Sequence, residues 1–353
     1  MTGDLLRHEP GRTFGFTDLV TWHDKPRPFT DVAASIDTVI LGPHASATFP
    51  AEFAPFVDPS LDLRRQCDFS DCLTSPLGRL WARADPSVVF VENPFSRLVS
   101  DPNRPPPDDP IAGLRQCFER IAQAEAGTLP SLAGVDAIRP ITFSGAPVLR
   151  EPRSEQQWTE LTDILRDCIA RGPAAYAAIT AEVIDQVLAA RPSRPVLVIS
   201  LHDTMNALMR PDGAIADMRS PSDLLPTWVN FGNRGDTTGN PTGDMPVSLA
   251  APQANRLLRS WQTALRANLA DFTLNRPYKG AYETQLWGER LTPRGARSGA
   301  IQVEFRREAL LTPEAAAHLA EPGSDWPAPD MFHLGRIAVA LATAGGAYRA
   351  SLD

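Results

Sequence analysis

The 353-residue chain reads as an α/β protein, with a mixed, largely parallel sheet covered by helices on both faces. Three observations predict this. Short, continuous apolar runs recur as candidates for fully buried strands. Segments of helical periodicity fall between them, and Gly and Pro punctuate the joins. The 34 prolines cluster between the periodic segments, which favours one domain over residues 1–353 and not a string of modules.

Each element follows in turn. The first 35 or so residues, with Phe14, Phe16 and Trp22 among polar neighbours, form an irregular arm or an early strand. Asp37-Thr-Val-Ile-Leu41 is a short buried strand broken at Gly42-Pro43, and Val88-Val-Phe-Val91 is a second. Residues 156–189 place Trp158, Leu161, Ile164, Leu165 and Cys168 at helical spacing. A second helix follows Gly172-Pro173 through Ile179, Val183 and Val187. Pro195-Val-Leu-Val-Ile-Ser-Leu201 is the strongest strand, followed at once by His202-Asp203. Residues 255–269 are an amphipathic helix, Ala300-Ile-Gln-Val-Glu-Phe305 is a strand, and 334–344 a closing helix.

Composition removes several function classes. A hydrophobic content of 43% with 22% charged residues excludes a mainly disordered chain. A net charge of −8 argues against nucleic acid, whose phosphates call for a basic face. No run of about 18 apolar residues is present, so no membrane span is expected. The first ten residues carry acids and a histidine where a signal peptide would be apolar. Cys67, Cys72, Cys117 and Cys168 are too scattered for a disulfide scaffold, so reduced thiols and a cytoplasmic location are expected. Neither a Gly-x-Ser-x-Gly elbow nor a Gly-rich phosphate loop occurs.

Of six histidines, two sit in matching contexts. His44 follows the first strand by a Gly-Pro turn, and His202 stands at the end of the strongest strand. Sites in such folds lie outside the strand ends. Two histidines there, joined by one carboxylate, make a three-ligand zinc site with an open position. Candidate carboxylates are Asp68 and Asp71, either of which serves equally as a helix N-cap. Glu304 shares a strand with Val303 and Phe305 on its opposite face. A carboxylate so buried is either ion-paired, to Arg306 or Arg97, or a general base. Arg97 and Arg104 flank an aspartate in one Pro-rich turn, and Tyr278 and Lys279 occupy another; Arg suits two-pronged carboxylate binding.

Six segments, taken in order over about residues 38–310, resemble the N-formylglutamate amidohydrolase family. They are Pro43-His-Ala-Ser46; the pair Asp68 and Asp71; Ser96-Arg-Leu-Val-Ser-Asp-Pro-Asn-Arg-Pro105; and His202-Asp-Thr-Met205. Leu225-Pro226 with Gly232-Asn-Arg-Gly235 is the fifth. The sixth is Asn275-Arg-Pro-Tyr-Lys-Gly-Ala-Tyr282, with Gly299-Ala-Ile-Gln-Val-Glu-Phe-Arg306 after it. The chain departs at Ser46 and Ala281, where the family has Gly. His202 is followed by Asp-Thr, and Glu283 interrupts an otherwise apolar position. Against a minimal member, the arm at 1–36 and loop-rich inserts at 102–155 and 205–250 are long.

The resemblance implies a three-layer α/β/α, zinc-carboxypeptidase-like hydrolase. One Zn2+ would be held by His44, His202 and Asp68, with Asp71 the alternative third ligand. It implies Glu304 as general base and Arg104 as a catalytic or carboxylate-holding group. Arg97, Asn103, Arg234, Tyr278 and Lys279 would bind substrate. The expected function is cleavage of a C–N amide bond in a small N-acyl or N-formyl amino-acid derivative bearing a carboxylate. The alternatives are a peptide or peptidoglycan amidase on the same scaffold, or a metal-free binding protein on a degenerate one. The partner expected is a small acidic molecule, not nucleic acid or membrane.

Overall fold

A computed structural model describes residues 4–125 and 128–352. The first three residues of the expected arm, two residues of the 102–155 insert and the last residue lie outside the described ones. Seven strands form the central sheet: β1 (Val20–Trp22), β2 (Thr38–Gly42), β3 (Val88–Glu92), β4 (Leu197–Thr204), β5 (Val229–Gly232), β6 (Phe272–Leu274) and β7 (Gly299–Arg306). Their spatial order is β6-β5-β7-β4-β2-β3-β1. The four adjacent strands β3, β2, β4 and β7 run parallel, β1 pairs antiparallel to β3, and β5 pairs antiparallel to β7. The sheet is thus mixed and largely parallel, as the apolar runs require.

Seven longer helices cover it: α1 (Thr74–Ala84), α2 (Pro110–Gln123), α3 (Glu155–Arg171), α4 (Pro173–Ala190), α5 (Ala251–Ala264), α6 (Tyr282–Leu291) and α7 (Met331–Ala350). Local chemistry sets their ends. The Asp109 side chain caps α2 and Ser154 caps α3, while Gly172-Pro173 ends α3 and opens α4. Strand alternation distributes the core. Leu197, Ile199 and Leu201 face α1, α5 and α7, where Trp81 and Trp261 meet edge to face at 5.5 Å. Val196 and Val198 face the side covered by α4 and α6. A separate cluster joins Leu114 of α2 and Trp158, Leu161 and Leu165 of α3 to Phe49, Phe53 and Phe95.

Several boundaries differ from expectation. β4 continues through Thr204, so His202 lies within the ladder, opposite Glu304, instead of after it. α5 starts early at Ala251, where Pro252 suits a first turn, and stops before Arg266, whose φ is 53°. α7 starts at the cap Asp330 and runs through Gly345-Gly346 because Tyr348 is buried against the core. The 205–250 stretch is not wholly an insert, since it supplies β5. β5 and β6, at four and three residues, are too short to show a period. Part of the arm, Val20–Trp22, becomes the edge strand. Among the described residues, no helix is long and apolar enough to cross a membrane, and the four cysteines are free.

Candidate metal centre and active site

The chain order places a crevice between β2 and β4. From β2 the chain crosses to β3 on one side; from β3 it returns through α2, α3 and α4 to β4 on the other, so connections diverge at this point. β2 pairs with β4 only as far as Leu41 opposite Ser200, whereas β4 and β7 stay paired to Thr204 and Arg306. The early end of β2 is a glycine effect. A Cβ on Gly42 would lie 2.9 Å from both Phe90 Cζ and Ala45 Cβ, so only glycine lets the chain turn there and lay His44 over the sheet.

In this crevice the rings of His44 and His202 lie 4.9 Å apart, centroid to centroid. Both turn their Nδ1 atoms toward one oxygen, Asp71 Oδ2, at 3.3 Å and 2.8 Å respectively. All three residues are buried. Asp71 is held there by the backbone: its N–H donates to the His44 carbonyl at 3.0 Å. The place expected for Asp68 beside the histidines is therefore taken by Asp71. Asp68 ends the short helix Leu63–Asp68 and turns to Arg307, 3.7 Å away, because that buried guanidinium needs carboxylate partners and also holds Asp203.

Each outer ring nitrogen has a partner. His44 Nε2 lies 2.6 Å from Asp101 Oδ1, and the other Asp101 oxygen accepts from Arg97 Nη2 at 2.8 Å. His202 Nε2 lies 2.9 Å from Ser200 Oγ, with Asn103 Nδ2 at 3.3 Å. Burial and the Arg97 charge act to lower the His44 pKa, but Asp101 and Asp71 together leave it raised. Burial opposes ionisation of Asp71 and Asp101, yet the histidines on Asp71, and His44 with Arg97 on Asp101, hold both carboxyls below the usual range. Two imidazole nitrogens and a carboxylate oxygen, converging within 4.8 Å and engaged behind, can hold a divalent cation. Glu52, Asp167 and Cys168 also approach one another, but Arg171 already neutralises that group.

The crevice opens into a cavity of about 280 Å3. His44, His202, Asp68, Asp71, Arg97, Asn103, Arg104, Tyr278, Lys279 and Glu304 all line it. Arg234 does not. Its backbone takes a left-handed turn, φ 67°, its N–H donates to the Lys279 carbonyl at 2.7 Å, and its side chain lines a separate cleft with Asp244 and Gln285. That turn still serves the site. A Cβ on Gly232 would fall 2.6 Å from the Lys279 carbonyl carbon, so glycine is what admits the 275–281 segment against β5.

Glu304 makes neither ion pair open to it, since Arg306 faces Glu308 and Arg97 faces Asp101. Its hydrogen-bond partner is Gln302 Nε2 at 3.2 Å. Burial pushes its carboxyl up to about 7, with Asp71 and Asp203 adding to burial and His202 and Arg219 opposing it. Burial and the nearby Glu304 push the Tyr278 phenol to about 12, so it stays protonated. Arg104 Nη2 donates to Asp136 at 3.2 Å.

Sequence reasoning missed three participants. Asp101 was in plain view inside the Arg97–Arg104 turn, and the need of a strand-end histidine for a rear acceptor is the signal that finds it. Ser200 lies two residues before His202 and so on the same strand face, which period two does reveal. Arg219, which lines the cavity while donating to Met205 O and Thr204 Oγ1, follows a short hairpin and carries no sequence signal.

A buried glutamate thus lies in one cavity with a histidine–carboxylate cluster, at the carboxyl ends of the parallel strands. The N-formylglutamate amidohydrolase family matches residues 36–311, and the chain belongs to that family, a hydrolase of the amidohydrolase type. Among solved structures it is similar to an N-formylglutamate amidohydrolase from Ralstonia eutropha, with TM-score 0.56 and 21% identity over 89% of this chain and 95% of that one. A gene product of Agrobacterium tumefaciens is similar in fold, with TM-score 0.50 and 15% identity over 92% of this chain and 94% of that one. No match is found among curated proteins.

Proposed function

We propose that the protein is a zinc-dependent amidohydrolase that cleaves the C–N bond of a small N-formyl or N-acyl amino acid carrying a carboxylate. The observation that carries this reading is the convergence of His44 Nδ1, His202 Nδ1 and Asp71 Oδ2 at the floor of the cavity Glu304 lines. Zinc held by these three would supply Lewis-acid activation of a water and of the scissile carbonyl. Glu304, with a carboxyl near neutrality, accepts the proton of the attacking water and returns it to the leaving nitrogen. Arg97, already oriented by Asp101, stands next to the donors and steadies negative charge on the carbonyl oxygen. Arg104, Arg219 and Lys279 are the cations on the cavity wall suited to the substrate carboxylate, with Tyr278 and Asn103 completing the lining. A cavity of about 280 Å3 suits an amino-acid derivative better than a polymer.

The test is zinc titration of metal-stripped protein with N-formylglutamate, following release of the free amine. Turnover is expected to rise with zinc to one equivalent. It is also expected to fall when the substrate carboxylate is replaced by an amide. Undiminished turnover after exhaustive chelation would remove zinc from the reading.

A further inference from the structure

Three buried polar side chains behind His202 take no part in the chemistry above. Ser200 interrupts an apolar strand between Ile199 and Leu201, Glu283 opens α6, and Tyr176 lies in α4; each is at most 4% exposed. A buried carboxylate is costly unless its oxygens are satisfied. Here both are: Tyr176 Oη donates to Glu283 Oε1 at 2.7 Å and Ser200 Oγ donates to Oε2 at 2.8 Å. A serine hydroxyl has one proton. Once that proton is given to Glu283, Ser200 Oγ faces His202 Nε2, 2.9 Å away, only as an acceptor.

We infer that Glu283, acting through Ser200 and braced by Tyr176, is a positioning residue that holds His202 as its Nε2–H tautomer, leaving the Nδ1 lone pair for a metal. The inference rests on the zinc reading of the site. It explains why an acid stands at position 283, where the family resemblance leads to an apolar residue. The Asn103 amide opposes it: its nitrogen is 3.3 Å from the same ring atom and only donates, while its oxygen accepts the Glu283 N–H at 3.1 Å. Ser200 is the closer partner and sets the tautomer. On the other side of the site, Asp101 holds His44 directly; on this side the carboxylate is one hydroxyl removed.

The experiment measures zinc affinity of the full chain by chelator competition, with melting of the metal-free protein as the folding control. Ser200→Ala, and the paired swap Glu283→Met with Tyr176→Phe, which removes both ends of a hydrogen bond while keeping volume, are each expected to weaken zinc about 10–100-fold. Adding Ser200→Ala to the paired swap should cost nothing more, because one chain is already broken. Zinc-loaded wild type labelled with 15N-histidine should show the His202 proton on Nε2, a readout that needs no variant to fold. Affinities within about twofold of wild type in folded variants overturn the relay alone, whereas a proton found on Nδ1 of the zinc-loaded protein removes that atom from the ligand set and overturns the relay together with the His202 part of the metal reading. Failure of the wild type to take up zinc overturns the metal reading and the relay with it.

Discussion

The two histidines of the candidate centre are supported in opposite ways. His44 sits on a turn, and behind it stands a charged loop network in which Asp101 meets both the imidazole and Arg97. His202 sits inside β4, locked by its ladder to β7, and behind it stands an uncharged hydroxyl before any carboxylate. A loop-borne ligand has little backbone restraint, so ionic contacts orient it. A strand-borne ligand is already aimed by the pleat and needs only its tautomer chosen. The difference shows that one site can draw its rigidity from two sources.

The comparison is tested hardest at the atom both sides share. Asp71→Ala is expected to abolish zinc uptake and reduce turnover to background, as metal analysis of purified protein would show; near-stoichiometric zinc in that variant would mean the histidines meet over nothing. Next comes Glu304→Gln, which should keep zinc and lose about 10²–10⁴-fold in kcat. Asp101→Asn is expected to weaken zinc about 10–100-fold, and more than Ser200→Ala does, because it also takes from Arg97 its nearer carboxylate, at 2.8 Å. Equal losses would erase the contrast between charged and uncharged support. Asp68→Asn should leave zinc affinity at the wild-type level, since its neighbour is Arg307 and not the histidine pair.

The remaining effect is one of stability in the metal-free chain. The folded Glu304 carboxyl titrates near 7, above its ordinary 4.5. The folded state thus binds the proton more tightly than the unfolded one, and stability falls as pH rises from about 4.5 through 7. Glu304→Gln has no such carboxyl to ionise. It is expected to melt higher than wild type at pH 8, with the gap closing near pH 4.5 in thermal scans. A gap independent of pH would show that Glu304 is not strained by burial.

Legibility in the sequence followed how local each feature is. His44, His202 and Glu304 stood out because an isolated polar residue at or in an apolar strand has few structural uses. Between Asp68 and Asp71 the residues alone left the choice open and the resemblance pointed to Asp68, whereas the structure sets Asp71 against the imidazoles and Asp68 at the end of the helix Leu63–Asp68. What separates them is Arg307, far along the chain, which draws Asp68 away. Arg234 was expected in the pocket from the turn it resembles. Its left-handed backbone instead brings the 279 carbonyl to its N–H and sends the side chain elsewhere.

By itself the sequence determined the alternation of buried strands and helices, the parallel character of the sheet, the family and the strand-end histidines. These rest on periodicity, on glycine and proline stereochemistry and on short motifs, all readable over a few residues. Only the tertiary structure decided which carboxylate meets the imidazoles, what stands behind each ring and which cations reach the cavity. Those outcomes depend on side chains competing for partners across distant segments, and burial makes every unpaired charge too costly to leave where a local pattern alone would put it.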